Sequence, residues 1–307
     1  MIEALPTSHP GVADVVVLAG ARAPAGAPPT LLIEAPHGAT LPAHYEQLRA
    51  QLRSRLPDDL HEFFFVNTDV GSWEYGLRVA ERVLDNMPDQ TAMVIRCLIP
   101  RTFVDTNRRV DGGGGALGRG ELTAAMPPFV DDPADHALLH ALHRAYFTLV
   151  ARAYAAICGR GGLALIPHTY GPRTLGIERV DVDIVAQLRA AHAPGIVERW
   201  PLRAEIDLLT RTPEGEELAP PGIADELRSA YAVIGLTALQ NHTYNLHPAS
   251  VGHDWSRRYP GRVLCLEVRR DLIVERWRWN EAMRADPAAI DRVARPLAEA
   301  LTSRLTR

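Results

Sequence analysis

Four short segments of the chain each begin with an apolar run and end in histidine, arginine or carboxylate residues. The segments are LLIEAPHGAT (31–40), MVIRCLIPRTFVDTNR (93–108), LALIPHTYGPRT (163–174) and VLCLEVRRDL (263–272). Mainly apolar runs of this length are typical of strands that are buried on both faces of a sheet. Because the carboxyl ends of such strands line one crevice in an open α/β sheet, we expect the four polar clusters to converge.

Strand-like and helix-like segments alternate along the rest of the chain. We predict strands at 15–19, 30–35, 61–66, 92–98, 162–168, 203–210 and 263–268, and helices at 44–53, 73–86, 133–158, 181–192, 224–236 and 287–305. Ser72 is expected to cap the second of these helices. The alternation predicts a three-layer α/β fold, and because no repeat or linker divides the sequence, we expect one domain over residues 1–307.

Charge and composition exclude several classes of protein. The net charge of −4 offers no basic face for nucleic acid. Lysine is absent, which excludes a lysine Schiff base, a serine–lysine dyad and a P-loop lysine. The chain has no apolar run of membrane length and no basic leader, and its three isolated cysteines are typical of reduced, buried thiols. We therefore expect a cytoplasmic protein without a membrane partner.

Residues 108–135 have little periodicity and much glycine, proline and aspartate, which predicts a long surface loop of the kind that often acts as a functional lid. Gly113, Gly115 and Gly118 match the spacing of a dinucleotide-binding motif. They do not follow a strand, so we expect only a glycine-rich loop there.

Two histidines end strands in the same local context. His37 and His168 each follow a proline at the end of an apolar run. Imidazoles brought together at strand ends can bind a divalent cation. Asp69 follows the 61–66 run and has two interpretations: it caps the next helix, or it supplies an oxygen ligand beside the two nitrogens and leaves a position open for water.

The turn at 101–108 concentrates Arg101, Asp105, Asn107 and Arg108. Arginine forks bind carboxylates through paired hydrogen bonds, which suits an anionic substrate. The alternative is that aspartate and arginine form ion pairs with each other and have only a structural role in this turn.

Glu267 lies inside the apolar strand of the fourth segment. Burying a carboxylate there costs free energy unless it forms an ion pair or takes part in the function. Burial also raises its pKa into the range that suits a general base. The alternative is an ion pair with Arg269, which shares a face of the strand with Glu267, or with Arg270, which does not.

The motifs PHGAT, NTD, IPRTFVDTNR, PHTYG and LEVRRDL, in this order, resemble those of the N-formylglutamate amidohydrolases. These enzymes belong to the wider zinc-carboxypeptidase-like set that also contains the aspartoacylases. The resemblance spans roughly residues 30–275. It implies a three-layer α/β/α fold with a mixed, mainly parallel sheet and one catalytic zinc per chain.

By this resemblance, His37 and His168 are expected to be zinc ligands. The carboxypeptidases have a glutamate ligand three residues after the first histidine, but here that position is Thr40. Another residue must complete the site, and we predict Asp69 as the third ligand.

The resemblance also implies the roles of the remaining site residues. Glu267 matches the glutamate that activates the water, and Arg101 is expected to stabilise the oxyanion. Asn107 and Arg108 match the pair that binds the substrate carboxylate. The full predicted substrate-binding set is Asn107, Arg108, Asp105 and Arg173. The segment NHTYNLHP (241–248) either lines the acyl pocket or forms a polar surface turn.

These features predict a zinc-dependent amidohydrolase that cleaves the amide of a small anionic N-acyl, for example N-formyl, amino acid or a related carboxylate. One rival hypothesis is an exopeptidase or peptide-tailoring hydrolase on the same scaffold, acting on short peptides. The other is a catalytically degenerate protein that binds an acidic metabolite or a partner protein. The ligand types alone do not separate zinc from other divalent metals, including ferrous iron.

Overall fold

A single mixed sheet organises residues 4–110 and 123–306, which the computed structural model describes. Its seven strands within those residues are β1 (Ala13–Ala19), β2 (Leu31–Ala35), β3 (Thr91–Cys97), β4 (Leu163–Tyr170), β5 (Ile206–Leu209), β6 (Ala238–Gln240) and β7 (Val263–Arg269). They are ordered β1-β3-β2-β4-β7-β5-β6. Strands β3, β2, β4 and β7 are mutually parallel, whereas β1 and β5 are antiparallel to their inner neighbours.

Helices cover both faces of the sheet. They are α1 (Pro42–Arg49), α2 (Leu60–Asn67), α3 (Ser72–Asn86), α4 (Pro133–Ile157), α5 (Ile184–Ala191), α6 (Ile223–Val233), α7 (Val251–Arg258) and α8 (Pro287–Leu305). One apolar core holds α1, α2, α4, α5 and α7 against one face, which we call the α4 layer. A second core holds α3, α6 and α8 against the other face, the α8 layer. The predicted three-layer α/β/α class with a mixed, mainly parallel sheet is confirmed.

Alternation along the inner strands decides which side chains share a face. In β3, Met93 and Ile95 pack in the core of the α4 layer, while Ala92 and Val94 pack in that of the α8 layer. Both faces are therefore apolar, which explains why the central strands have continuous apolar sequences. By the same alternation, the even-numbered residues of β4 and the odd-numbered residues of β7 face the α4 layer.

Two local predictions are wrong. Residues 61–66 form part of α2 rather than a strand. Leu60, Phe63 and Phe64 are its buried residues, and this i, i+3, i+4 spacing is helical, whereas a half-exposed strand would alternate. Ser72 does not cap α3, because the helix begins at Ser72 and Gly71 is its N-cap residue.

Two short elements were not predicted. Strand β6 has three residues, too few to show a period. Helix α7 is capped by Ser250, whose hydroxyl accepts a hydrogen bond from the backbone N–H of His253. Its sequence is mostly polar, and its buried face depends on Val251 and Trp255.

The three cysteines are buried and free, as predicted. Among the described residues, no helix combines the length and the apolar character needed to cross a membrane.

Glu34 is a buried carboxylate of β2 that joins the sheet to α4. Tyr146 and Tyr154 donate hydrogen bonds of 3.0 and 2.9 Å to its two oxygens. Glu34 is 2% exposed. Burial raises its pKa to about 7, although the two tyrosine hydrogen bonds act in the opposite direction.

Replacing Glu34 by glutamine should make stability less dependent on pH. The folded pKa of about 7 lies above the ordinary value of 4.5, so the folded protein binds the proton more tightly than the unfolded chain does. The free energy of unfolding therefore falls as pH rises between these values, by about 3 kcal/mol in total. Glu34→Gln should be more stable than the wild type by about that amount at pH 8, and by much less at pH 5.

Urea unfolding followed by circular dichroism at both pH values measures this difference. Glu46→Gln, at an exposed position of α1, is the control and should change little at either pH. An equal effect of Glu34→Gln at pH 5 and pH 8 would contradict the prediction.

Candidate metal centre and surrounding cavity

His37, Asp69 and His168 place three possible ligand atoms within 4.8 Å of one another. Nδ1 of His37 lies 3.2 Å from Oδ2 of Asp69, and Nδ1 of His168 lies 2.9 Å from the same oxygen. The two ring centroids are 4.9 Å apart, and all three residues are buried. Two imidazole nitrogens and one carboxylate oxygen, beside an open cavity, form a donor set that suits catalytic zinc.

The sheet explains how residues so far apart in sequence meet. His37 lies in the turn directly after β2, and His168 lies near the carboxyl end of β4. These two strands are parallel neighbours, so their carboxyl ends lie at the same edge. The predicted convergence of strand ends therefore places both histidines next to each other.

Asp69 comes from the tight turn between α2 and α3. Gly71 in this turn has φ +89°, and a Cβ atom there would lie 2.7 Å from the side chain of Ile273. Glycine is therefore the residue that fits this turn. No side-chain hydrogen bond caps α3, and the carboxylate of Asp69 instead contacts His37 and His168. Burial opposes ionisation of Asp69, but the two histidines outweigh it and lower the pKa of the carboxyl.

The second nitrogen of each histidine also contacts a polar side chain. Asp105 lies 2.7 Å from Nε2 of His37, and the side-chain amide of Asn107 lies 3.3 Å from Nε2 of His168. Such partners orient imidazole ligands so that the other nitrogen faces the metal. The side chains of Asp105 and Asn107, which the sequence assigns to substrate binding, thus lie against the candidate ligands.

The guanidinium groups of Arg101 and Arg108 both lie beside the carboxylate of Asp105, and that of Arg101 also lies beside Asp69. Arg101 donates a 2.9 Å hydrogen bond to Asp105 and lies 3.6 Å from Asp69. Burial acts to raise the pKa of Asp105, but Arg101, His37 and Arg108 together hold it well below its ordinary value.

Arg108 keeps an unsatisfied donor. Its side chain is 12% exposed, its Nε lies 4.0 Å from Asp105, and this atom has no hydrogen-bond partner among the described residues. Burial lowers the pKa of Arg108. A buried N–H without an acceptor is costly, and an anionic group in the cavity would supply that acceptor.

Glu267 lies beside the histidines on the α4-layer face of the sheet. In the parallel pairing of β4 and β7, Glu267 is the direct neighbour of His168. Its Oε2 is buried and has no hydrogen-bond partner in the described part of the chain. Burial raises its pKa to about 7, and Asp69 adds to this effect. A carboxyl with this pKa can accept and return a proton near neutral pH.

The alternative ion pairs of Glu267 are not formed. Arg269 donates instead to Asp271 at 2.9 Å. Arg270 is 1% exposed and donates to the carbonyl groups of Phe65, Val66 and Thr169. Arg270 thereby links the end of α2 to β4 beside the turn that carries Asp69.

A cavity of about 920 Å³ opens onto this cluster. It is lined by every predicted site residue: His37, Asp69, Arg101, Asp105, Asn107, Arg108, His168, Arg173 and Glu267. The guanidinium of Arg173 is held in place by main-chain groups, because it donates hydrogen bonds to the carbonyl groups of Glu198 and Trp200.

Sequence reasoning missed Arg203, which also lines the cavity. Its guanidinium lies 5.0 Å from the ring centroid of Tyr170 and 5.6 Å from that of Tyr244. Arg203 is the first residue of the predicted 203–210 strand, and nothing in that sequence distinguishes it as a site residue.

Two further segments singled out in the sequence contribute to the cavity. In 241–248, Tyr244, Asn245 and Leu246 line the cavity, which agrees with the pocket alternative. In the predicted 108–135 loop, residues 123–128 line the cavity as well. Residues 111–122, with the three glycines of the motif, lie outside the described residues.

The chain thus has a three-layer α/β/α fold with a candidate metal centre at the carboxyl edge of its parallel strands. It is similar to the crystal structure of N-formylglutamate amidohydrolase from Ralstonia eutropha JMP134, with a TM-score of 0.55 and 16% identity over 95% of this chain and 97% of that chain. The motif resemblance is thereby supported at the level of the fold.

A second structure, succinylglutamate desuccinalase from Vibrio parahaemolyticus, matches with a TM-score of 0.41 and 8% identity over 96% of this chain and 68% of that chain. A likeness this weak carries no argument. No protein family and no curated protein matches the sequence. Because one fold can support many activities, the function of this chain must be inferred from the residues of its site.

Replacing either His37 or His168 by alanine should abolish metal binding. Each substitution removes one of two nitrogen donors, and a single histidine with one carboxylate binds zinc weakly. After dialysis against zinc and removal of the excess, elemental mass spectrometry should find about one zinc per chain in the wild type and little in either variant. His242→Ala, at an exposed position away from the cavity, is the control. Stoichiometric zinc in both cluster variants would show that the cation binds elsewhere.

Proposed function

We propose that this protein is a zinc-dependent amidohydrolase that cleaves the amide bond of a small, anionic N-acyl amino acid. The observation that carries the proposal is the position of Glu267, whose unpartnered oxygen and raised pKa lie beside the His37–Asp69–His168 cluster in one cavity. A protein that only binds an acid does not need a carboxylate of this kind next to a metal centre.

The residues of the cluster fit a divalent cation. His37 and His168 each present Nδ1 to the same oxygen of Asp69, and their second nitrogens are held by Asp105 and Asn107. When bound there, zinc lowers the pKa of a water molecule and polarises the amide carbonyl.

Glu267 acts as the general base and then as the general acid. Its carboxylate takes a proton from the attacking water and later gives it to the nitrogen of the leaving amine. Burial raises the pKa of this carboxyl above its ordinary value, which suits both transfers near neutral pH. Because no protein donor holds its Oε2 in the described part of the chain, this oxygen is available to water or substrate.

The arginine residues stabilise negative charge at two places. Arg101, beside Asp69 and Asp105, stabilises the oxyanion that develops on the carbonyl oxygen. Arg108 binds the substrate carboxylate, because its Nε lacks an acceptor in the described residues. Asn107 lies next to Arg108 in the chain and helps to orient both His168 and the bound acid.

Replacing Glu267 by glutamine should abolish turnover while zinc is retained. Glutamine preserves the size of the side chain but cannot accept the proton of the water, so kcat should fall by about 10³-fold or more. Hydrolysis of N-formyl amino acids by the zinc-loaded protein and its zinc content measure the two effects. Glu275→Gln, at an exposed position just after β7, should leave both unchanged. Near-normal turnover in Glu267→Gln would remove this residue from the mechanism.

Replacing Arg108 by methionine should weaken binding of the acid without affecting the metal. Loss of a hydrogen-bonded charge pair corresponds to an increase in KM of about 10- to 100-fold. A substrate in which a neutral carboxamide replaces the carboxylate should be cleaved equally slowly by wild type and variant. Arg109→Met is the matched control, since the side chain of Arg109 is 56% exposed and does not line the cavity. An equal loss for both substrates would argue against carboxylate binding at Arg108.

A further inference from the structure

The cavity contains a second region that the proposed chemistry does not use. Apolar side chains from helices α2 and α5 and from two connecting segments line it, and the charged side chains of Arg179, Asp181 and Glu198 line the same cavity. We call this region the apolar lobe, and its residues are Phe63, Val66, Ile177, Ile184, Leu188 and Trp279.

The apolar lobe is continuous with the candidate metal centre. Val66 lies three residues before Asp69, at the end of α2, and Arg270 fixes this end of the helix against β4. The lobe therefore begins beside the reacting amide rather than at a separate surface. A substrate held at the metal centre can therefore extend into the lobe within one cavity.

Ion pairs on the outer surface hold the walls of the lobe together. Arg189 of α5 donates hydrogen bonds to Glu62 of α2 and to Asp59, at 3.0 and 2.7 Å. On the inner side, the rings of Trp279 and His192 stack with centroids 4.6 Å apart and an angle of 10° between their planes. Phe63, Ile184 and Leu188 are also buried in one apolar core, so helices α2 and α5 pack together at the lobe.

The chemistry of the lobe defines what it accepts. Apolar walls gain free energy when an apolar group replaces water, and they disfavour a charged group that lacks a partner. The cavity volume of about 920 Å³ is near the upper end of the range for small-molecule pockets, far more than an N-formyl group and a short polar side chain fill.

We propose that the apolar lobe binds a large apolar group of the substrate, so that the preferred substrates are N-acyl amino acids that carry an aromatic or long aliphatic group. This inference rests on the proposed amidohydrolase function and specifies its substrate class. The carboxylate of the substrate pairs with Arg108, the amide lies at the metal centre, and the apolar group fills the lobe. This group is either the amino-acid side chain or the acyl chain, and two substrates distinguish these cases.

The test compares kcat/KM of the zinc-loaded protein for four compounds. N-formylglycine is the reference, N-formyl-L-phenylalanine carries the apolar group on the amino acid, N-octanoylglycine carries it on the acyl side, and N-formyl-L-glutamate carries a second carboxylate. At least one apolar compound should exceed both N-formylglycine and N-formyl-L-glutamate by about tenfold or more. Equal or faster cleavage of either non-apolar compound would overturn the inference while leaving the proposed function intact.

A variant inside the lobe and a matched control test its role directly. Ile177→Asp puts a charge into the lobe and should lower kcat/KM for the preferred apolar compound by about tenfold, with little change for N-formylglycine. Val182→Asp lies in the same connecting segment, but Val182 is 64% exposed and does not line the cavity, so it should behave as wild type. If Ile177→Asp does not fold, Ile177→Ala takes its place in the test. This variant adds no charge and should also lower kcat/KM for the preferred apolar compound.

A binding measurement separates failure of this inference from failure of the proposed function. If the zinc-loaded protein hydrolyses none of the four compounds, the proposed function fails. Calorimetry then compares binding of N-formyl-L-phenylalanine and N-octanoylglycine with that of the two non-apolar compounds. Tighter binding of an apolar compound, lost in Ile177→Asp and kept in Val182→Asp, would support the lobe. Equal binding of all four compounds would overturn it.

Discussion

The candidate site depends on one carboxylate oxygen shared by two imidazoles. Oδ2 of Asp69 lies within 3.2 Å of Nδ1 of both His37 and His168, and all three side chains are buried. This arrangement requires the pairing of β2 with β4 and the turn at Gly71. It also depends on Arg270, which joins α2 to β4 through main-chain carbonyl groups. The strand pairing, the turn at Gly71 and Arg270 take no part in the proposed reaction, but together they hold the three ligand atoms in place.

Much of the fold follows from the sequence, because the apolar runs of the inner strands are short and alternate with segments of helical period. The exception at residues 61–66 is instructive. Three consecutive phenylalanines favour a strand by propensity, but the buried positions Leu60, Phe63 and Phe64 follow the helical period. The packing of α2 with the other elements of the α4 layer decided the outcome, and strand propensity does not report such packing. Strand β6 was not predicted for a different reason, because three residues are too few to show a hydrophobic period.

The convergence of strand ends was predictable, but the contacts made there were not. Strand ends identified His37, His168 and Glu267 as neighbours, and the structure brings them to one cavity. Sequence cannot show that Asp105 lies against His37, that Arg173 is held by main-chain carbonyl groups, or that Arg203 reaches the cavity. Each of these depends on side-chain direction, which becomes defined only after the layers have packed.

Glu34 and Glu267 show why a raised pKa alone does not identify a catalytic residue. Burial raises the pKa of both carboxyls to about 7. Glu34, however, accepts hydrogen bonds from two tyrosines of α4 and does not line the cavity, so its proton affects only stability. Glu267 faces the cavity beside His168 and keeps an oxygen without a partner in the described residues. The difference in hydrogen bonding, rather than the shared desolvation, makes Glu267 the candidate base.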